Sequence, residues 1–132
     1  MIRRRIVVTG IGAITPIGLN IPQFWEGLIS GKNGVTPIKY FDASKFDTQF
    51  AAQASGFNPE EYFDKKSVKR LDKFSQFAIA SSVQAISDSE INLEKINKDR
   101  FGVVYGSGIG GLETLQNEHW KYFQDKNPGM IS

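Results

Sequence analysis

Phe101-Gly-Val-Val-Tyr105, followed by Gly106-Ser-Gly-Ile-Gly-Gly111 and then Leu112 to Phe123, is the stretch that decides the fold. The β-branched and aromatic run predicts a core strand, the glycines a tight turn out of it, and the remainder a helix. Near the start of the chain, Arg5-Ile-Val-Val-Thr9 before Gly10-Ile-Gly12 repeats the strand and its glycine turn. Two such buried strands point to an α/β fold.

Gly106-x-Gly108-x-x-Gly111 matches the dinucleotide fingerprint in spelling and in local context. That mechanism also needs the helix to lead into a second parallel strand ending in an acid, roughly 20 residues on, that holds the ribose. Asp125 has the spacing but closes the helical stretch, and no strand precedes it. Glycines that let the turn pack against a neighbouring backbone are the favoured reading. At Gly10-Ile-Gly12 the phosphate reading is weaker still, because Thr15 stands at the third glycine position and Pro16 follows.

Between the two strands the pattern is mainly helical. Pro22 in a first turn, Phe24, Trp25, Leu28 and Ile29 on one face and Gly31 just beyond predict a short amphipathic helix. Poor periodicity from Val35 to Phe57 predicts short extended pieces and turns. Asn58-Pro-Glu-Glu61 has the order of a helix start, with a cap, a proline and then acids, so a helical turn should follow. Ser67 to Asp88 is the longest helical candidate, and its small and apolar second half, Phe77 to Ile86, predicts a helix sandwiched inside the fold. Ser89 to Arg100 is a polar connector. No repeat, low-complexity tract or domain linker interrupts residues 1–132.

Composition removes several function classes. Sixteen Lys and Arg against fourteen Asp and Glu leave a net charge of +2, too little to point to nucleic acid. The absence of cysteine excludes disulfides, thiolate metal sites and a cysteine nucleophile within these residues, and a single His119 excludes a His-rich metal cluster. Arg3, Arg4 and Arg5 precede an apolar run too short for a signal peptide, and no stretch approaches a membrane span. The expectation is a cytoplasmic protein without metal or cofactor.

Lys65, Lys66, Lys69, Arg70 and Lys73 place five of the sixteen basic residues within nine positions. On one continuous helix Lys69, Arg70 and Lys73 share a face, joined by Lys66 if the helix begins early enough. A solvated helix face is one reading. The other is a surface for an acidic partner, because basic residues in a first turn oppose the helix dipole at about 0.3–1 kcal/mol each and invite a compensating charge. The residues alone leave both open. His119 has no candidate partner for general-base work, and the adjacent Glu60 and Glu61 diverge on a helix, so neither forms a catalytic pair.

Three stretches, in order and spacing, resemble the signatures of β-ketoacyl-[acyl carrier protein] synthases. They are Val7-Val-Thr-Gly-Ile-Gly12 continuing to Pro16 and Gly18, Lys69-Arg-Leu-Asp-Lys-Phe-Ser-Gln76, and Gly106-Ser-Gly-Ile-Gly-Gly-Leu112. The resemblance spans the whole chain, and the Ile of the last signature is closer to the type II enzymes. It implies a thiolase-like layered α/β fold, of which residues 1–132 would be the N-terminal part of the first half, and a homodimer.

The activity implied is that of a 3-oxoacyl-[acyl carrier protein] synthase: decarboxylative condensation of malonyl-carrier protein with an acyl group held on an enzyme cysteine. The cysteine and its supporting His and Lys residues would lie beyond Ser132, so none of the 132 residues is assigned a catalytic role and the piece alone is expected to be inactive. Lys66, Lys69 and Arg70 fall on positions that contact the acidic acyl carrier protein. Ile109, with Gly108 before it, falls on the residue that gates the far end of the acyl pocket. Substrates would be acyl and malonyl thioesters, with no nucleic acid or membrane partner. The alternatives carried from the residues are a nucleotide-dependent oxidoreductase using the Gly106 turn and a carrier-protein-binding module without catalysis. Asp88-Ser-Glu90 stands where the family has Asp-Ser-Gly, so the glycine stop of the long helix is missing.

Overall fold

Asn20, in extended conformation, caps α1 (Ile21–Ile29) by accepting the Gln23 N–H at 2.9 Å, and the Gln23 side chain reaches back to the Leu19 N–H at 3.0 Å. The pair satisfies the Gln23 amide, which the first helical turn leaves without a partner, and the Leu19 amide just before the cap. The far end closes as a Schellman turn, with Gly31 N–H donating to Leu28 and Lys32 N–H to Gly27. These features belong to a computed structural model that describes residues 4–126 and Gly129. Arg3 and Ser132 lie outside the described residues.

The chain divides into two units, Met1–Asn58 with Ile79–Ile96, and Pro59–Ala78 with Asn97–Ser132. The first holds α1 and a two-stranded antiparallel sheet of β1 (Val35–Pro37) and β2 (Phe50–Ala52), in which Val35 pairs with Ala52, Thr36 with Ala51 and Pro37 with Phe50. Short extended pieces are thus what residues 35–57 contain. The second unit holds a 3-10 turn at Pro59–Glu61, then α2 (Lys65–Arg70), another 3-10 turn at Lys98–Arg100, and α4 (Leu112–Asp125). Helix α3 (Lys73–Asp88) contributes its start to the second unit and the rest to the first.

Within the first unit, the loop after the first β-branched run lies on α3. Ile11 N–H donates to Asp88 Oδ2 at 2.9 Å and Ala13 N–H to Gln84 Oε1 at 3.1 Å, while Gln84 Nε2 donates to Leu19 O at 2.8 Å. This approach requires glycine. A Cβ on Gly12 would stand 2.0 Å from the Ser81 carbonyl oxygen, and one on Gly10 2.2 Å from that of Ala85. These glycines, expected to form a turn at the end of a buried strand, instead admit the loop to the backbone of α3.

Four expectations change. The long helix is two helices, because Leu71 is extended and the chain restarts as α3 at Lys73. The buried Gln76 carboxamide secures that break by donating to Val68 O at 3.0 Å and Leu71 O at 2.8 Å, two carbonyls the helix end exposes. Residues 5–9 and 101–105 form no strand, and Ile6, Val8, Val103 and Val104 stay largely in solvent. β-branched runs need a partner edge, and neither run finds one among the described residues. The sandwich expected for α3 is one-sided, with Ala80 fully buried while Ile79, Val83 and Ile86 remain exposed. Helix α1 packs through Gly27 against Ile17, leaving Trp25, Leu28 and Ile29 exposed. Among the described residues no large apolar side chain is fully buried.

Candidate functional site

The basic residues ride on α2, a short helix held at both ends. Asp64 caps it, accepting the Lys66 and Ser67 amides at 2.8 and 3.0 Å and the Ser67 hydroxyl at 2.7 Å. Chiefly the Ser67 hydroxyl, and then the Ser67 amide, hold the Asp64 carboxyl below its ordinary range. Lys65 and Lys66 lie in the first turn, and Lys69 and Arg70 in the last. That corrects one argument for a partner: the break at Leu71 puts Lys69 and Arg70 at the favourable, negative end of a helix dipole. Lys73 opens α3 and is not part of the α2 face.

Lys66, Lys69 and Arg70 are all exposed, and among the described residues none of their charged groups is within ion-pair distance of a carboxylate. Their charge is thus available at the surface. Lys69 and Arg70 also line one groove, of about 510 Å³, with residues of α4. Lys66 does not line it. Trp120 and Lys121, which face the same groove, were not singled out by sequence, since only the fold brings them to α2.

The glycine turn has its own anchorage in the same unit. Gly111 takes the left-handed conformation, φ 69°, at the N-terminus of α4, where no side chain caps the helix. The Thr114 hydroxyl donates to the Asp72 carboxylate, and Gly110 lies close to the Phe74 ring, so that a Cβ there would be 2.8 Å from it. Ile109 is 75% exposed and lines an open groove of about 190 Å³ with Asp72, Phe74 and Leu112. Gly108 is exposed, does not line this groove, and has open space where a Cβ would stand. The turn therefore packs on a phenyl ring, and Glu113 in the first turn of α4 makes that helix end a poor seat for phosphate.

His119 stacks edge-on against Phe123 at 4.5 Å between ring centroids, a packing role. Glu60 and Glu61 lie in their 3-10 turn as helix-start acids. Among the described residues no helix is long and apolar enough to cross a membrane.

Residues 3–132 match the family described as Beta-ketoacyl synthase, N-terminal domain. The chain is 42% identical over 130 residues to the 3-oxoacyl-[acyl-carrier-protein] synthase 2 of Synechocystis sp., covering 98% of this chain and 31% of that protein. It is 39% identical over 132 residues to the protein of the same name from Vibrio cholerae, covering all of this chain and 32% of the relative. The chain thus spans about a third of the length of these relatives.

Among solved structures, the ishigamide ketosynthase/chain length factor shares the fold with a TM-score of 0.78 at 24% identity, over 98% of this chain and 32% of that one. A β-ketoacyl synthase from Burkholderia phymatum superposes with a TM-score of 0.72 at 25% identity, over 95% of this chain and 31% of that one. The expected thiolase-like α/β architecture is thereby borne out, and the nucleotide-dependent oxidoreductase reading of the glycine run gives way. With residues 3–132 matched by the family's own pattern, the chain belongs to the β-ketoacyl synthase family, in its N-terminal domain.

Proposed function

We propose that the chain forms the N-terminal segment of a cytoplasmic, homodimeric 3-oxoacyl-[acyl carrier protein] synthase of type II fatty acid synthesis. In the reaction, the carbanion left when malonyl-carrier protein loses carbon dioxide attacks an acyl group held as a thioester on an enzyme cysteine. A carbon–carbon bond forms, the cysteine leaves as thiolate, and 3-oxoacyl-carrier protein is released. No residue of the 132 is a cysteine, so on this reading the nucleophile lies outside these residues. The contribution of this segment is docking, through Lys66, Lys69 and Arg70, and pocket shape, through Gly108 and Ile109.

The observation that carries this reading is the likeness to two proteins named 3-oxoacyl-[acyl-carrier-protein] synthase 2 over almost the whole chain. The exposed cations of α2, without ion pairs among the described residues, support the docking part, because a surface charge with no internal partner steers an oppositely charged protein. The test is condensation by the full-length protein, with acyl- and malonyl-carrier protein as substrates. Formation of 3-oxoacyl-carrier protein with release of carbon dioxide is expected. A protein that binds both substrates and yields no condensation product overturns the assignment and leaves a binding module.

A further inference from the structure

The turn that joins α1 to β1 carries a chemical liability in two adjacent residues. Asn33-Gly34 is the only Asn-Gly pair of the 132 residues. Asn33 Oδ1 accepts the Val35 N–H at 2.9 Å. The ring closed by that bond includes the Gly34 nitrogen, and the bond polarises the carbonyl at Cγ. Among the described residues the Gly34 N–H has no acceptor. Packing fixes the glycine itself: a Cβ there would stand 2.8 Å from Pro16 Cβ and 2.8 Å from Ile17 Cγ2, so a bulkier residue that shielded the nitrogen would displace both. The flanks are fixed as well, because Lys32 N–H closes the Schellman turn on Gly27 and Val35 opens β1.

We propose that Asn33 is a site of spontaneous modification, with the Gly34 backbone as nucleophile and water as co-reactant. The Gly34 nitrogen, its proton taken by hydroxide, attacks Cγ of Asn33. The N–Cγ bond forms, the Cγ–Nδ2 bond breaks, and ammonia leaves with a proton from water. Water then opens the cyclic imide. Cleavage at Cγ gives an aspartyl residue, and cleavage at the backbone carbonyl gives an isoaspartyl one. Nothing is oxidised or reduced: one water enters and one ammonia departs. The isoaspartyl form routes the backbone through Cβ, which adds a methylene between two fixed elements, beside a glycine already pressed on Pro16 and Ile17. The aspartyl form keeps the acceptor for Val35. Two internal controls share the turn but not the glycine: Asn92 accepts the Glu94 N–H at 2.9 Å and Asn97 the Asp99 N–H at 3.0 Å, with Leu93 and Lys98 as the following residues.

The experiment holds the full-length protein in mildly alkaline buffer, native and in urea, and maps its peptides by mass. The peptide with Asn33 should gain about 1 Da and split into two chromatographic species, at least about tenfold faster than those with Asn92 and Asn97. The rate should rise with pH, and Asn33→Ser should abolish the reaction. Isolated isoaspartyl protein should melt below the aspartyl form, which should match the untreated protein. Native modification no faster than at Asn92 and Asn97 overturns the proposal. So does native modification more than about tenfold slower than in urea, because the fold then protects the turn. Equal melting of the two products overturns the consequence drawn for the backbone.

Discussion

Asp72 accepts a hydrogen bond from the hydroxyl of Thr114, which fastens the start of α4 to the break between α2 and α3. The same break ends the helix that carries Lys69 and Arg70, and the same start of α4 follows the turn that carries Ile109. Thr114→Val removes the bond at nearly constant volume. The expected cost is about 1 kcal/mol, read from urea unfolding of the full-length protein. On the proposal that Ile109 shapes an acyl pocket, a loosened turn should also broaden the range of acyl lengths accepted by the full-length protein, and an unchanged product distribution would overturn that role.

Gly12→Ala should be far more damaging. Its Cβ would meet a helix carbonyl oxygen at 2.0 Å, and backbone cannot swing aside as a side chain can. A loss of about 3 kcal/mol or more is expected, visible as a collapsed melting temperature. Gly108→Ala, with open space at its Cβ, serves as the contrasting control.

Gln84 is the clamp of the same region, accepting from Ala13 and donating to Leu19. Gln84→Glu keeps the acceptor and loses the donor, setting a carboxylate against the Leu19 carbonyl. It should cost about 2 kcal/mol, and more than a similar change at exposed Gln116. Equal stability of the two variants would show that the clamp contributes nothing.

Glu90 occupies the left-handed conformation at the end of α3, φ 52°, where the related enzymes were expected to have glycine. Its amide bonds to Ser87 O at 3.2 Å, so the turn forms despite the side chain. Glu90→Gly should relieve the strain and gain about 0.5–1 kcal/mol, while Glu90→Ala should gain nothing. Thermal unfolding of the three proteins decides it.

The α2 cap titrates. Because the folded carboxyl of Asp64 lies below the ordinary value of 3.8, its anionic form is favoured by folding. The stabilisation is therefore complete above that value and disappears as pH falls through the lower, folded one. Amide protection at Ser67 should drop at the acid end of a titration from about pH 6 to about pH 2. Asp64→Asn, which still accepts a hydrogen bond, should flatten the profile.

Much of this architecture is legible in the residues, and the failures share a cause. Pro22 and Gly31 bracket α1 correctly, because these signals act within a turn of chain. The break at Leu71 was invisible: no Gly or Pro marks it, the apolar spacing runs through it, and its stabiliser, Gln76, reaches back from the next helix. The two β-branched runs announce an extended conformation but not a partner, which is a non-local property. For the site, the basic cluster could be read because it is contiguous. Trp120 and Lys121 could not, since only folding sets α4 opposite α2 in one groove.

The uncovered runs at residues 5–9 and 101–105 carry an association hazard. Each presents exposed β-branched side chains on a run that joins no sheet among the described residues, a surface to which an extended peptide can add. A second copy of the chain is one source of such a peptide. At high concentration the chain is therefore expected to self-associate through these runs wherever no other segment covers them.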